Sequence, residues 1–243
     1  MNRKYHHTLL PMVLAALPAC SSQEARPAST QAAPAQSSDE TTADNAGTAA
    51  ASVANSPAAA KTTATIGQPA PDFALPALGG GTVRLSEHRG KVVVLEWFNP
   101  DCPFVRQAHA RKEQLQGLAE RHQKDGVVWL AINSGAPGKQ GHGVKANQQG
   151  KQRHAMAHPI LLDESGAVGR LYGAKRTPHL YVIDASGKLV YGGALDNTKG
   201  GDLEDAEPTF VNYVATALAD ISAGRAVATP QTEPYGCSVK YGD

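Results

Sequence analysis

The segment that most constrains the fold is the nearly continuous apolar run at residues 91–97, with the sequence KVVVLEW. β-Branched residues in an apolar run of this length are typical of a strand that is buried on both faces of a sheet. A helix is expected over 103–124, because Pro103 suits the first helical position and the Asp-Gly pair at 125–126 favours an end. The apolar run at 127–133 predicts a second buried strand. Strand, helix and strand in this order form a parallel pair, so the sheet is at least partly parallel.

The segments around this unit complete one α/β domain. Three glycines at 79–81 turn a short hairpin ahead of the central strand. Residues 179–191 predict an antiparallel hairpin with a tight turn. Apolar residues at helical spacing predict a last helix over 208–223, with Phe210 on its buried face. The expected architecture is a three-layer α/β sandwich with a mixed central sheet and an N-terminal hairpin.

Composition divides the chain into four segments. Residues 21–65 are mainly Ala, Ser, Thr, Pro and Gln without an aromatic residue. Such a segment cannot bury enough apolar surface to offset its ordering entropy. The segments are an export signal over 1–20, a disordered low-complexity tether over 21–65, the α/β domain over 66–228 and a C-terminal tail over 229–243.

The first 20 residues have the pattern of an export signal. Arg3 and Lys4 precede a short apolar run over 8–17, and Cys20 follows a small residue. The segment resembles a bacterial lipoprotein signal, in which the cysteine is lipidated. The alternative is an ordinary secretory signal with an unrelated cysteine. Both lead to an oxidising compartment, where disulfides persist. The resemblance implies a lipid anchor in the cell envelope. Because no aspartate follows Cys20, it also implies that this anchor lies in the outer membrane and faces the periplasm.

The charge balance argues against several classes of partner. The chain has 23 basic and 22 acidic residues, a net charge of +1, and only 5% aromatic residues. This composition offers no general electrostatic attraction to nucleic acid or to an anionic membrane surface, and no stacking platform for bases. Contact with a membrane is therefore expected through the lipid anchor alone.

Cys102 lies between the end of the central strand and the start of the next helix. The N-terminus of a helix carries unpaired N–H groups and about half a positive charge, which stabilises a thiolate. The thiolate is the nucleophilic form of cysteine, so this position favours a reactive thiol. The alternative is an inert buried cysteine.

Two further residues are candidates for the same chemistry. Glu96 lies in the apolar run, where burial would raise the pKa of its carboxyl and suit it to proton transfer. The alternative is that Glu96 faces an edge or pairs with a lysine. With Cys20 lipidated, Cys102 and Cys237 are the two remaining thiols, and loop closure does not forbid their pairing. The alternative for Cys237 is an isolated thiol in the tail.

Three motifs together resemble the thioredoxin-fold redoxins, which include alkyl hydroperoxide reductase/thiol-specific-antioxidant proteins and membrane-anchored thiol-disulfide oxidoreductases. The motifs are the entry segment 66–73 (IGQPAPDF), the central strand followed by 99–105 (NPDCPFV), and Thr177-Pro178 before a strand. The tail segment 236–241 (GCSVKY) is similar to that of a bacterial redoxin subgroup with a C-terminal cysteine.

The resemblance implies a thioredoxin-like fold and assigns roles to single residues. Cys102 takes the place of the attacking cysteine, and Cys237 becomes a resolving thiol. Glu96 falls at the position of the buried acid of thioredoxin, and Pro178 falls at the cis-proline. The implied substrate groove is formed by Thr177, Pro178, Pro103 and Phe104.

The sequence also departs from both reaction signatures of the family. Val105 stands at the second cysteine of a Cys-x-x-Cys pair, and Asn99 stands where peroxiredoxins carry a threonine. Three hypotheses therefore remain: a thiol-disulfide oxidoreductase, a thiol peroxidase, and a non-catalytic binding module. The two enzyme hypotheses require a protein disulfide or a peroxide as substrate and an external dithiol as reductant. Neither requires a metal or an organic cofactor, because the chemistry is sulfur exchange.

Other polar residues are weaker candidates. His109 lies two helical turns after Cys102 and is expected to be a solvated helix residue. The spacing of His142, His154 and His158 matches no zinc motif. The acidic segment 196–207 is expected to be a solvated loop, with a cation site as the alternative.

Overall fold

The apolar run at 91–97 forms the middle strand of a five-stranded sheet. This strand, β3 (Val93–Trp97), is buried at all five positions. The computed structural model describes residues 63–198, 200–206 and 209–243, which belong to one compact unit, Ser56–Asp243. The export signal with Cys20, and the tether up to residue 62, lie outside the described residues.

The central sheet is mixed, as predicted. Its strands run in the order β5 (Ile160–Leu162), β4 (Val128–Asn133), β3, β7 (His179–Ile183) and β8 (Leu189–Gly193). Strands β3, β4 and β5 are parallel, whereas β7 is antiparallel to both β3 and β8. The remaining described strands form two small antiparallel pairs. Strand β1 (Ala74–Pro76) pairs with β2 (Thr82–Arg84) in the predicted N-terminal hairpin, and β6 (Arg176–Thr177) pairs with β9 (Cys237–Ser238).

Helices and the hairpin pack on the two faces of this sheet. On one face, Val94 and Leu180 pack with apolar residues of three helices in one hydrophobic cluster. On the other face, Trp97 and Tyr181 pack with the hairpin and with a fourth helix. None of the helices in the described ranges is both long and apolar enough to cross a bilayer. The helices are α1 Pro103–Ala110, α2 Leu115–Lys124, α3 Val144–Arg153, α4 Ala167–Tyr172 and α5 Tyr213–Ser222, with two 3₁₀ helices at Leu85–His88 and Leu203–Asp205.

The single helix expected over 103–124 is wrong, because the chain breaks it into α1 and α2. Arg111 has extended backbone angles, φ −116° and ψ 128°. Gln114, at the start of α2, is buried, and its side-chain amide donates hydrogen bonds to the carboxylate of Asp196 (2.8 Å) and the carbonyl of Gly201 (3.2 Å). These contacts with a distant loop override a local sequence that is compatible with a continuous helix.

The last helix starts later than expected. Its first residue is Tyr213, and the side chain of Asn212 caps it by accepting a hydrogen bond from the backbone N–H of Ala215 at 2.9 Å. Asparagine is a preferred residue at this position, because it satisfies an unpaired N–H of the first turn. Phe210, expected on the buried face of the helix, precedes it, and Pro208 lies outside the described residues.

Candidate active site

Cys102 is the N-cap residue of α1, immediately before Pro103. Its backbone carbonyl accepts the first helical hydrogen bond, from the N–H of Arg106 at 3.0 Å. Its side chain is fully buried, with 0% exposure. The thiol donates a hydrogen bond to the backbone carbonyl of Thr177 at 3.1 Å. The sulfur therefore lies at the positive end of α1 and against the residue that precedes Pro178.

The segment before strand β7 brings the second cysteine to the first. The Thr177–Pro178 peptide bond is cis. Thr177 belongs to β6, and its antiparallel partner in β9 is Cys237. The carbonyl that contacts the Cys102 thiol thus belongs to the residue paired with Cys237. Two cysteines far apart in sequence meet at one backbone position.

Cys237 packs against the hydrophobic cluster that contains Cys102. Both cysteines are free in this structure, Cys102 buried and Cys237 partly buried. Burial, together with the hydrogen bond and charge interaction with Cys102, raises the pKa of Cys237 to about 11, against a smaller opposite effect of Lys240 and Arg176. Cys237 loses its proton only at high pH, whereas Cys102 lies at the N-terminus of a helix. The sulfur of Cys102 is therefore the better placed of the two to attack first.

The residues before Cys237 fit closely against the active loop. The hydroxyl of Tyr235 donates to the carboxylate of Asp196 at 2.8 Å. The ring of Tyr235 meets that of Phe104 edge-on, with 6.3 Å between centroids. Gly236 has φ +107°, and a Cβ at this position would overlap the carbonyl oxygen of Thr177. Glycine is required here because both the backbone conformation and the space exclude a side chain.

Glu96 belongs to the central strand β3 and its side chain is fully buried, but the expected rise in the pKa of its carboxyl is wrong. Burial raises the pKa of the carboxyl, yet the opposing effects of His109, His158 and Trp129 are together larger and lower it below the usual value. The ring Nε2 of His109 lies 2.7 Å from Oε1, and the indole N–H of Trp129 donates to Oε2 at 3.0 Å. The alternative of an edge position or a lysine partner is also wrong, since the partners are histidines and a tryptophan.

His109 is a buried residue, which corrects the expectation of a solvated one. It lies on the inner face of α1 with Val105 and Ala108. This spacing is that of a helix face packed on a sheet, so the positions of the apolar residues in α1 carry the signal that identifies His109 as buried.

Two more histidines complete a cluster that sequence reasoning did not assemble. The ring of His154 stacks on that of His109 at 5.1 Å between centroids, and Nε2 of His158 lies 3.9 Å from Oε2 of Glu96. Burial lowers the pKa of both His154 and His158 to about 4. His142 does not join them and lies instead 3.1 Å from Glu164. Because the loop after α3 carries these residues to β3, no local pattern in the sequence links them.

The two positions that break the family signatures have structural roles. Val105 is fully buried in α1 and packs in the same cluster as Cys102. Asn99 is also buried: its side-chain oxygen accepts a hydrogen bond from the N–H of Asp101 at 2.9 Å, and its amide donates to the carbonyl of Gln140 at 3.2 Å. Asn99 therefore shapes the turn that leads into Cys102.

The acidic segment at 196–207 is not a purely solvated loop. Asp196 is buried and accepts hydrogen bonds from Gln114, Thr198 and Tyr235. Glu207 lies outside the described residues. Within the described ranges, His, Cys, Asp and Glu side chains form no group with the geometry of a metal site. The carboxylate of Asp196 instead joins the break between α1 and α2 to the tail.

Comparison with known proteins decides the family. Residues 66–192, which are 127 of the 243 residues, match the AhpC/TSA family. The chain belongs to the AhpC/TSA family. It is therefore a redoxin with the thioredoxin-like fold, and an oxidoreductase.

Two curated relatives are similar over about half of the chain. Thiol-disulfide oxidoreductase ResA of Geobacillus thermodenitrificans is 32% identical over 130 residues, which cover 53% of this chain and 69% of ResA. Thioredoxin-like protein YneN of Bacillus subtilis is 30% identical over 123 residues, which cover 51% of this chain and 68% of YneN.

Two solved structures are similar over more of the chain. An uncharacterized conserved protein from Geobacillus kaustophilus has a TM-score of 0.63 at 28% identity and covers 73% of this chain and 93% of its own. A hypothetical protein from Sinorhizobium meliloti has a TM-score of 0.61 at 27% identity and covers 74% of this chain and 97% of its own.

Proposed function

We propose that this protein is a thiol-disulfide oxidoreductase in which Cys102 attacks the substrate and Cys237 resolves the intermediate. The observation that supports this assignment most directly is the placement of both cysteines at Thr177, whose carbonyl accepts from the Cys102 thiol and whose strand partner is Cys237. The names of the relatives ResA and YneN support the same class of reaction. In this proposal Cys237 replaces the second cysteine of a Cys-x-x-Cys pair, whose position is occupied by Val105.

The proposed reaction transfers two electrons from the protein to a substrate disulfide. The Cys102 thiolate attacks one substrate sulfur and forms a bond to it, while the substrate S–S bond breaks and the other sulfur leaves as a thiolate that takes up a proton. The Cys237 thiolate then attacks the Cys102 sulfur and releases the second substrate thiol. The products are two substrate thiols and a Cys102–Cys237 disulfide, which an external dithiol reduces.

The remaining candidate residues support these steps. The N-terminus of α1, which starts at Pro103, stabilises the attacking thiolate. The backbone of Thr177 and Pro178 and the ring of Phe104 hold the substrate chain next to Cys102. Glu96 takes part in proton transfer as a carboxylate held by its histidine partners. The exchange uses neither a metal nor an organic cofactor, since sulfur carries both electrons.

A thiol peroxidase is the second candidate, and the match to the AhpC/TSA family favours it. In this reaction the Cys102 thiolate attacks one peroxide oxygen and becomes a sulfenic acid, while the O–O bond breaks and the other oxygen takes up a proton and leaves as water or an alcohol. Cys237 would then condense with it to form the same internal disulfide and water. The stopped-flow rate of peroxide consumption by the reduced chain separates the two activities. A second-order rate constant no better than that of free cysteine eliminates the peroxidase.

The proposed reaction takes place outside the cytoplasm. The export signal and Cys20 support a lipid-anchored protein of the bacterial envelope, at the outer membrane facing the periplasm, with the tether holding the domain away from the lipid. Metabolic labelling with a radioactive fatty acid tests the anchor. Label that is present in the parent and lost in Cys20→Ser is expected, whereas label in both or in neither contradicts the anchor.

A trapping experiment tests the roles of the two cysteines. In a Cys20→Ser background, Cys237→Ser is expected to accumulate a mixed disulfide between Cys102 and a peptide disulfide, because no second thiol releases the adduct. Cys102→Ser is expected to form no adduct and to lose exchange activity. A Cys237→Ser chain that turns over as fast as the parent contradicts the resolving role. If cells that carry Cys102→Ser have the same phenotype as cells that carry the parent chain, the protein is instead a non-catalytic binding module.

A further inference from the structure

The tail lies along the strand edge that holds Thr177. Two residues of the tail, in β9, pair antiparallel with the two residues of β6, so that Ser238 faces Arg176 and Cys237 faces Thr177. The pairing continues for one more residue, where the backbone N–H of Val239 donates to the carbonyl of Lys175 at 3.1 Å. The tail therefore occupies this edge as an added strand, the geometry by which proteins bind extended peptides.

The docked tail also covers the attacking thiol. Cys102 is 0% exposed, its thiol donates a hydrogen bond to the carbonyl of Thr177, and Cys237 packs against the cluster that contains it. Gly236 also packs over the active loop, because a Cβ added at this residue would lie 3.5 Å from the Cβ of Phe104. Thiol–disulfide exchange depends on access to the attacking sulfur. A protein disulfide therefore has no route to Cys102 while the tail is docked.

Side-chain contacts hold the tail at three places, of which the middle one is formed by Tyr235 with Asp196 and Phe104. Upstream, the side-chain oxygen of Thr232 accepts a hydrogen bond from the N–H of Ala194 at 2.8 Å. Downstream, the hydroxyl of Tyr241 donates to the carbonyl of Ala174 at 2.9 Å, and the guanidinium of Arg170 lies 4.7 Å from the centre of its ring.

The segment 236–240, which carries Cys237, is held mainly by backbone hydrogen bonds. Its five residues are all half-buried or exposed. A segment with little buried apolar surface has a low free energy of local opening. The tail can therefore detach from the strand edge while the rest of the domain stays folded.

We propose that the tail acts as an intramolecular competitor of the protein substrate for the edge of β6. The tail must leave this edge before Cys102 attacks a substrate disulfide, and it must return before Cys237 resolves the adduct. This inference rests on the proposed thiol-disulfide exchange. It identifies the substrate as an extended peptide segment that adds to the same edge.

Competition gives the two steps opposite responses to a weaker tail. If the tail is loosened, Cys102 is exposed for a larger fraction of the time and attack on an external disulfide becomes faster. The same change lowers the fraction of time that Cys237 spends next to Cys102, so closure of the internal disulfide becomes slower. A purely structural role of the tail would change both steps in the same direction or change neither.

The test uses Tyr241→Ala, which loosens the tail four residues beyond Cys237. In the full chain with Cys20→Ser and Cys237→Ser, Cys102 is reacted with a cysteine peptide carrying a thionitrobenzoate mixed disulfide, and release of thionitrobenzoate is followed by absorbance. The loss of one hydrogen bond and one cation–π contact is expected to raise this rate about tenfold. The matched control is Tyr213→Ala in α5, which belongs to the cluster under that helix and is expected to leave the rate unchanged.

A second arm measures closure with both cysteines present. In the Cys20→Ser chain, Tyr241→Ala is expected to slow formation of the Cys102–Cys237 disulfide from the peptide adduct, again about tenfold. An unchanged attack rate, or attack and closure changing in the same direction, overturns the proposal. Failure of the proposed function has a different signature: no internal disulfide forms even with the native tail, while the first arm, which lacks Cys237, is unaffected.

Gly236→Ala keeps the test decisive if circular dichroism shows that Tyr241→Ala does not fold. The added Cβ would overlap the carbonyl oxygen of Thr177 and displace the tail at the edge itself. Its matched control is Gly224→Ala, which has a comparable positive φ of +68° but nothing within 4 Å of the new Cβ. Faster attack in Gly236→Ala and not in Gly224→Ala supports the competition, and equal rates overturn it.

Discussion

The buried pair formed by His109 and Glu96 is expected to contribute strongly to the stability of the fold. The ring Nε2 of His109 lies 2.7 Å from Oε1 of Glu96, whose side chain is fully buried. Replacing His109 with alanine leaves that carboxylate oxygen without its partner. Removal of one partner from a buried pair costs roughly 3–5 kcal/mol, because the remaining charge is uncompensated. Since Trp129 still donates to Oε2 at 3.0 Å, we expect the lower end of this range, about 3 kcal/mol.

Urea unfolding of the full chain at pH 7 measures this loss. With a slope of about 1–3 kcal/mol/M, a loss of about 3 kcal/mol lowers the unfolding midpoint by about 1–3 M. A matched control is His122→Ala, whose half-buried ring lies 3.9 Å from the exposed carboxylate of Asp125. This control is expected to change the free energy of unfolding by less than about 0.5 kcal/mol.

A second substitution separates the loss of the pair from a simple loss of packing. Adding Glu96→Gln to His109→Ala replaces the unpaired buried carboxylate with a neutral amide. It is expected to recover at least about half of the lost stability, because a neutral group costs less to bury. The reasoning is refuted if His109→Ala is no more destabilising than His122→Ala, or if the added Glu96→Gln recovers nothing.

Two further predictions concern the histidine cluster and the active loop. Burial lowers the pKa of His154 and His158 to about 4 from the usual 6.5, so the unfolded chain binds more protons between these values and the free energy of unfolding falls as the pH is lowered through this window. Urea titrations of the double variant His154→Gln/His158→Gln should show a shallower pH slope, and a slope equal to that of the parent would argue against buried neutral rings. Val105→Cys places a thiol three residues after Cys102, so in a chain with Cys20→Ser and Cys237→Ser it should restore an internal disulfide; two free thiols counted after oxidation would contradict this.

The elements with a local signal could be predicted from the sequence. The run at 91–97 became the buried central strand β3, and the order of strands and helix around it gave a partly parallel sheet. The hairpin expected over 179–191 is the antiparallel pair of β7 and β8. In each case short-range propensity and burial favour the same structure.

The differences arise where distant residues determine the local structure. The break between α1 and α2 depends on the hydrogen bonds of Gln114 to the loop around Asp196. The pKa of Glu96 is lowered rather than raised because histidines from two other parts of the chain reach it. Neither contact has a signature in sequence spacing, because the partners are brought together by the topology of the sheet.

The meeting of Cys102 and Cys237 lies between these two cases. Two remaining cysteines in a chain expected to be exported left their pairing open as a hypothesis. The resemblance to redoxins with a cysteine in the tail favoured this pairing. The antiparallel pairing of β6 with β9 supplies the physical reason, since it places the residue after Gly236 directly opposite Thr177. A two-residue strand in a tail is too short to carry a periodic signal of its own.

Peptide mapping of the oxidised chain tests the central claim most directly. The Cys20→Ser protein is oxidised with a small disulfide, alkylated, digested without reductant and analysed by mass spectrometry. We expect a single internal link between the peptides that contain Cys102 and Cys237, at one disulfide per chain. Recovery of Cys237 in its alkylated form, with Cys102 alkylated or joined to the added disulfide, would contradict it.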